Sequence, residues 1–224
     1  MIPWVLLDST PTPDKSGELC LYQRDDEFSI RINNQELMNS RAHGSEEALA
    51  EFSCAKVARI RDPKVLIGGL GMGFTTAAAL RHLGVEALVT IAELIPSVVN
   101  WNREYLGRLS GHPLRDKRIS IRELDVASLI KIARESYDVI MLDVDNGPDA
   151  LTQPENTWLY SAEGLQANLR ALRSGGVLAV WSAKPSSEFT RKLKKTGFKV
   201  EEKQARARGA QGGSKHTIWL AQKS

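Results

Sequence analysis

The chain has 224 residues, 42% of them hydrophobic and 25% charged, with a formal net charge of +3, enough chain to bury one α/β core plus a modest extension. No apolar run reaches the roughly 18 to 20 residues that span a bilayer, and the opening Met-Ile-Pro-Trp-Val-Leu-Leu-Asp lacks the basic region of a secretory leader. Cys20 and Cys54 lack metal-ligand spacing and read as buried thiols in a reducing compartment, so a cytoplasmic protein with no bound metal and no membrane contact is expected.

Three short β-patterned runs come first, Trp4–Leu7, Leu19–Gln23 and Phe28–Ile32, separated by Pro-rich and charged turns. Asn33-Asn34 suits a turn that tolerates positive φ. A helix starts at His43-Gly-Ser-Glu-Glu and runs to about Val57, with Ser45 as the expected N-cap and Glu46 and Glu47 complementing the helix dipole. From residue 64 onward strand and helix patterns alternate. Strands are expected at 64–68, 87–92, 118–122, 138–142 and 176–181, and helices at 74–83, 97–109, 126–135, 157–173 and 186–196. Two β runs follow, 198–204 and 215–221, joined by a turn containing Gly209, Gly212 and Gly213. Five βα units and a hairpin predict an α/β fold: a seven-stranded Rossmann-like sheet with a terminal antiparallel hairpin, preceded by a small N-terminal β extension. The expected division places the extension at 1–42 and the main domain at 43–224.

The most telling stretch is Lys-Val-Leu-Ile-Gly-Gly-Leu-Gly-Met-Gly-Phe, residues 64–74. An apolar strand runs into glycines, and an Ala-rich helix follows. Glycine carries no Cβ, so such a loop can turn tightly and approach a ligand at the helix N-terminus. Glu93, at the end of the next strand, lies 20 residues beyond Gly73, where an acid can accept hydrogen bonds from ribose hydroxyls. The dinucleotide pattern G-x-G-x-x-G fails in either register, at Phe74 or at Leu70. What is present is Gly69-x-Gly71-x-Gly73, the spacing of S-adenosylmethionine-dependent transferases. A nucleoside-type cofactor at the carboxyl edge of a parallel sheet is therefore expected.

Charge is unevenly spread. From Ser182 onward there are eleven Lys and Arg against three acids, and the remainder is net negative. A basic segment leaves a nucleic-acid contact open, but no aromatic residues interleave with these charges, and a solvated helix face (Arg191, Lys192, Lys194, Lys195) is the simpler reading.

Together these motifs resemble the spermidine synthase (polyamine aminopropyltransferase) family within the S-adenosylmethionine-dependent methyltransferase superfamily. The family's G-G-G-D-G loop corresponds to Gly68-Gly69-Leu70-Gly71-Met72-Gly73, and its V-E-I-D segment to Ala92-Glu93-Leu94-Ile95. Its strand ending in G-D corresponds to the segment ending at Asp125, and its Y-D-V-I-x-x-D to Tyr137–Asp143. The resemblance implies that Gly69, Gly71, Gly73 and Glu93 hold the cofactor, that Asp125 and Val126 receive its adenine, and that Asp143 is catalytic. It also implies a homodimer. The family's D-S-S-D-P becomes Asp143-Val144-Asp145-Asn146-Gly147-Pro148, its glutamine falls near Leu37, and its Tyr-His pair falls near Glu46 and Glu47. Fold and cofactor class carry over; the acceptor stays open.

The cofactor such a site takes is a sulfonium on an adenosine, either S-adenosylmethionine or its decarboxylated form, and the product is S-adenosylhomocysteine or methylthioadenosine. Its carbon arms are electrophilic, so catalysis is mainly alignment plus removal of a proton from the nucleophile. Asp143 can orient an ammonium acceptor and take its proton. Asp145 and Asp149 add attractive negative potential, and Glu47 and Trp158, with Tyr160, are candidate acceptor-pocket residues. His43 is a candidate base or a structural group. Asp125 can cap the helix at 126–135 as well as contact adenine. Aminopropyl transfer to a small amine leads; a methyltransferase or a non-catalytic cofactor-binding homologue are the alternatives.

Overall fold

Short alternating runs organise the first part of the chain into a four-stranded antiparallel sheet: β1 (Val5–Pro11), β2 (Glu18–Arg24), β3 (Glu27–Ile32) and β4 (Gln35–Asn39). The structure is a computed structural model that describes residues 2–13, 15, 17–144 and 154–224. Leu19, Leu21, Phe28 and Ile30 are buried. Asn33 and Asn34 have φ of 47° and 67°, the pair of positive values that a tight hairpin turn needs. That turn feeds β4, a strand the sequence pattern does not reveal, because Gln35, Glu36 and Leu37 all stay exposed and give no alternation to read.

The helix that follows, α1 (Gly44–Ala55), is capped at His43 rather than at Ser45. Ser45 sits inside the first turn, buried, with Oγ 2.8 Å from Nδ1 of His216. The Gly44 N–H donates to the Ala207 carbonyl at 2.7 Å. A tertiary contact thus does for this helix end what a side-chain cap does elsewhere.

The remaining strands are β5 (Lys64–Gly68), β6 (Leu88–Glu93), β7 (Ile119–Glu123), β8 (Tyr137–Leu142), β9 (Leu172–Ser182), β10 (Lys199–Arg206) and β11 (Lys215–Gln222). They form one seven-stranded sheet in the order β10-β11-β9-β8-β5-β6-β7. Strands β5 to β9 pair in parallel, and β11 runs antiparallel to both of its neighbours, the expected single reversed strand. Val65, Leu66 and Ile67 are fully buried, as continuous apolar runs are in a parallel sheet covered on both faces. The edge strand β10 is dressed with Glu201, Glu202 and Lys203, charges that discourage further strand pairing.

Helices α2 (Phe74–His82), α3 (Pro96–Trp101), α4 (Val126–Ile132), α5 (Ala162–Ala171) and α6 (Ser187–Thr196) connect the strands. The helix expected at 97–109 is α3 continued through a π-helical turn (Asn102–Leu106) and a 3-10 turn (Gly107–Leu109). The one expected at 157–173 divides into a 3-10 segment (Pro154–Tyr160) and α5, because the Ser161 hydroxyl caps α5 by accepting from the Gly164 N–H at 3.1 Å. Helices α4, α5 and α6 cover one face of the sheet with Ile130, Leu165, Phe189 and Leu193. Helices α1 and α2 cover the other with Leu49, Cys54, Ala78 and Ala79. A third cluster joins the N-terminal sheet to α3 through Leu21, Phe28, Ile30, Trp101 and Leu106. Each large side chain in it contributes roughly 1.5–3 kcal/mol by burial. Trp101 Nε1 donates to Asp8 Oδ2 at 2.6 Å, tying β1 to α3 and holding the small sheet over the carboxyl ends of the parallel strands.

Candidate active site

The glycine loop is stapled to two neighbouring strand ends. The Gly68 carbonyl accepts from the Asp143 N–H at 3.0 Å, and the Gly69 N–H donates to the Ala92 carbonyl at 2.9 Å. Gly69 has φ +87°, and a Cβ there would lie 2.3 Å from the Asp143 carbonyl oxygen, so no side chain fits. Gly71 faces the cleft below β4, and Gly73, with φ +83°, is the N-cap of α2. Leu70 and Met72, between the glycines, are buried in the core. Their apolar side chains point inward and leave bare main chain on the outer side. Asn102, buried in the π turn, donates through Nδ2 to the carbonyls of Gly71 at 2.8 Å and Val98 at 2.9 Å. A π turn placed to brace a loop at a strand edge fits the usual association of such turns with functional sites.

Glu93 ends β6 as expected and is 7% exposed. Its Oε2 accepts from the Leu70 N–H at 2.8 Å and its Oε1 from the Ile95 N–H at 2.9 Å. Burial raises its pKa, and the surrounding main-chain N–H groups, those of Ile95 and Leu70 first, oppose that rise. A carboxylate oxygen has room for two hydrogen bonds, so each retains capacity for a hydroxyl. Asp125 caps α4 by accepting from the Ala127 N–H at 2.8 Å and also lines the cleft, as does Val126. The Val126 methyls lie against Gly68, where a Cβ would come within 3.0 Å.

Asp143, just past β8, is half-buried and lines the same cleft. Thr75, in the first turn of α2, donates to Asp143 Oδ2 at 2.6 Å. The next acid along is Glu46 of α1: burial first, then the neighbouring Asp143 and Glu47 carboxylates, push its pKa well up. Asp143 is raised as well, by burial against the opposing Thr75 hydrogen bond. Glu47 points away from the cleft, ion-paired to Arg81 at 2.9 Å with His43 Nδ1 3.5 Å away. Glu47, the candidate acceptor-pocket residue, thus lies on a different side of α1 from Glu46, because a helix turns about 100° per residue. Trp158 packs on the helical face of the core with Lys131 Nζ 4.5 Å from its ring centroid, and Tyr160 is buried edge-on to Phe189. Neither lines the cleft. His43 stacks on Phe74 with ring centroids 4.1 Å apart. Asp145 and Asp149 lie outside the described residues.

Sequence reasoning passed over Thr75 and Asn102. A signal existed for Asn102, since it falls in register with Val98 and Leu106 on an apolar helix stripe. The assembled cleft lies between the N-terminal sheet (Leu19, Ile30, Ile32, Leu37, Met38) and the strand ends (Gly69, Gly71, Glu93, Asp125, Val126, Asp143). It holds about 870 Å³ of empty space including its open mouth. Among the described residues no cluster of His, Cys, Asp and Glu could hold a metal ion, and no helix is long and apolar enough to cross a membrane.

A glycine loop presenting main chain, an acid at the next strand end and a single reversed strand in a seven-stranded sheet define a Rossmann-like fold of the methyltransferase type. Residues 43–206 match the spermine/spermidine synthase domain, and the chain belongs to that family. It is 32% identical over 123 residues to polyamine aminopropyltransferase 1 of Streptomyces coelicolor, covering 54% of this chain and 22% of that protein. It is 30% identical over 128 residues to a polyamine aminopropyltransferase of Prochlorococcus marinus, covering 57% and 42%. Putrescine N-methyltransferase 2 of Nicotiana attenuata is 33% identical over 116 residues, covering 51% and 29%. The matched segment thus spans less than half the length of these relatives. The fold matches spermidine synthase from Thermotoga maritima with a TM-score of 0.76 at 19% identity, covering 98% of this chain and 73% of that one. A spermidine synthase solved with the transition-state analogue AdoDATO matches with a TM-score of 0.74 at 19% identity, covering 98% and 72%.

Proposed function

We propose that this protein transfers an aminopropyl group from decarboxylated S-adenosylmethionine to an amine of the polyamine class, releasing methylthioadenosine. One observation carries the reading: the described residues lining the cleft include three carboxylates, Glu93, Asp125 and Asp143, and no Lys, Arg or His. Such a lining favours cationic arms and a cationic acceptor. It offers no basic partner to the carboxylate that only the full-length cofactor carries. The chain's residues fit the adenosine part: Glu93 has acceptor capacity left for ribose hydroxyls, Asp125 can accept from an adenine amino group, and Val126 with Leu124 offers an apolar surface.

When bound, the sulfonium supplies an electrophilic carbon and a neutral thioether leaving group. The work of the chain is positional and acid–base. Gly69 and Gly71 let main chain approach the cofactor, the N-terminal sheet covers it with apolar side chains, and Asp143 orients the attacking amine and accepts its proton. The raised pKa of Asp143 suits it to that exchange. Curated relatives carrying the name polyamine aminopropyltransferase support this assignment. A second reading, methyl transfer to an amine, is favoured by the relative named putrescine N-methyltransferase 2. Both reactions share the acceptor chemistry and differ in which arm of the sulfonium faces Asp143.

The deciding experiment incubates the protein with putrescine and either cofactor form. Methylthioadenosine formed from the decarboxylated form alone supports aminopropyl transfer; S-adenosylhomocysteine formed from the full-length form supports methyl transfer. No turnover with either form across a panel of diamines would reject both. We further propose a cytoplasmic homodimer, in line with the family resemblance and the two free cysteines Cys20 and Cys54, to be checked by sedimentation of the purified protein.

A further inference from the structure

Gly69, Gly71 and Gly73 all have positive φ, +87°, +52° and +83°, and a glycine-rich loop loses more chain entropy than any other when it is held in one shape. Two buried side chains tie this loop to the junction between β6 and α3. Glu93 accepts from the N–H groups of Leu70 and Ile95. Asn102 donates through Nδ2 to the carbonyls of Gly71 at 2.8 Å and Val98 at 2.9 Å. One side chain takes N–H groups and the other takes carbonyls, and both join the same two segments. Gly71, Ile95 and Val98 line the cleft, whereas Asn102 does not. We infer that Asn102 is a positioning residue for the adenosyl cofactor, holding the glycine loop and the start of α3 together as one preformed floor. The inference rests on the transferase reading, which gives Asn102 no part.

The surroundings of Asn102 suit that role better than simple packing. The residue is 2% exposed, yet its Oδ1 is buried with no hydrogen-bond partner among the described residues. Burying an unpaired acceptor costs stability, and only the donor half of the amide is used. An apolar side chain of the same shape would fill the core equally well and leave the Gly71 carbonyl without this donor. A Cβ on Gly73 would come within 2.9 Å of Asn102 Oδ1, so the last glycine of the motif makes room for this side chain. The anchor itself is firmly seated. Asn102 opens the π turn, and the preceding Trp101 is 1% exposed and bonded through Nε1 to Asp8.

The two bonds differ in reach. Val98 lies four residues before Asn102, within the same helix, while Gly71 lies 31 residues away on the loop. The second bond is the one that joins separate segments. Without it the loop is ordered only as a ligand arrives, and the cost of that ordering is subtracted from binding. A nucleoside then binds more weakly and with a less favourable entropy, although no atom that touches it has been removed. The effect falls on the adenosyl part common to S-adenosylmethionine, its decarboxylated form and their products, and is therefore the same for aminopropyl and methyl transfer.

The test compares the wild-type protein with Asn102→Leu, which keeps the shape and removes both donors, and Asn102→Ser, whose hydroxyl can donate to the carbonyl four residues back but falls short of Gly71. Methylthioadenosine binding is measured by calorimetry, amide exchange of residues 69–73 by mass spectrometry with and without that ligand, and stability by urea unfolding. Both variants should bind methylthioadenosine about 10-fold more weakly, roughly 1.4 kcal/mol and the upper end of what one neutral hydrogen bond contributes, with a less favourable binding entropy. Residues 69–73 should exchange faster in the ligand-free variants and regain wild-type protection at saturating methylthioadenosine. The urea midpoint of Asn102→Leu should stay close to that of wild type, since the unpaired Oδ1 leaves with the donors. Wild-type affinity in either folded variant overturns the inference, and so does weaker binding by a loop as protected as in wild type. A wild-type protein that binds no methylthioadenosine overturns it together with the transferase reading. Should wild type bind methylthioadenosine and transfer neither group, the binding and exchange arms still decide the role of Asn102, and only the transferase reading falls.

Discussion

Glu93 accepts main-chain hydrogen bonds with both carboxylate oxygens, so its replacement has two separable effects. Glu93→Ala strands the N–H groups of Leu70 and Ile95 and is expected to cost about 1–3 kcal/mol for each that stays buried. Chemical denaturation measures that loss, while thermal shift with methylthioadenosine reports the ribose contact. Glu93→Gln keeps an acceptor for one of the two N–H groups and should destabilise less while weakening nucleoside binding comparably. Asp143→Asn removes the proposed proton acceptor without changing shape. It should lower kcat far more than cofactor Kd, and should raise the melting temperature at neutral pH because a desolvated charge is gone. That gain should vanish in acid, below the ordinary Asp value of 3.8, where the wild-type carboxyl is neutral folded or unfolded. At this scale the strand-end acids Glu93, Asp125 and Asp143 were legible in the sequence, since a strand pattern also fixes where its end lies. Which of Glu46 and Glu47 approaches Asp143 was not, because that depends on how α1 is rotated against α2.

The glycine loop works as a main-chain surface only while its neighbours hold it. Gly69→Ala would combine φ +87° with a contact 2.3 Å from the Asp143 carbonyl. A loss of at least about 1–3 kcal/mol and of cofactor affinity is expected, measured by urea unfolding and calorimetry. Asp8→Asn, which keeps an acceptor for Trp101 Nε1, should cost less than Asp8→Leu, which leaves that N–H without its partner. Only the second should also weaken cofactor binding, since the roof sheet is positioned by that tie. Elements with a strong period were readable: the buried run of β5, the reversed strand β11 and the amphipathic α6. β4 and the start of α1 were not. One lies exposed and without alternation, and the other ends against a distant loop rather than on a side-chain cap.

Across the whole molecule two sets of carboxyls oppose each other in pH. Glu46, Glu93 and Asp143 are raised by burial, with like charge adding at Glu46. In that window the folded state binds more protons than the unfolded chain, so stability rises as pH falls through their folded values toward 4.5 and 3.8. Asp116, lowered to about 2 by Arg118, with Glu188 and Glu201, lowered by Lys192 and Lys56, act the other way. Their contribution is present above the ordinary values and lost as pH falls through the folded ones. The ligand-free protein should therefore melt highest in mild acid rather than at neutrality. A saturating diamine should move that maximum toward neutral pH by replacing the proton on Asp143. Melting temperatures across the pH range with and without putrescine check both expectations.

The placement of β11 between β9 and β10 bears on how the molecule is made. A ribosome delivers β9 well before the strand that will seal its flank. Until residues 215–222 emerge, β9 shows a naked hydrogen-bonding edge beside an unfinished apolar face, the kind of surface chaperones bind. A nascent chain halted after β10 would carry nearly all of the catalytic apparatus and still be a candidate for aggregation.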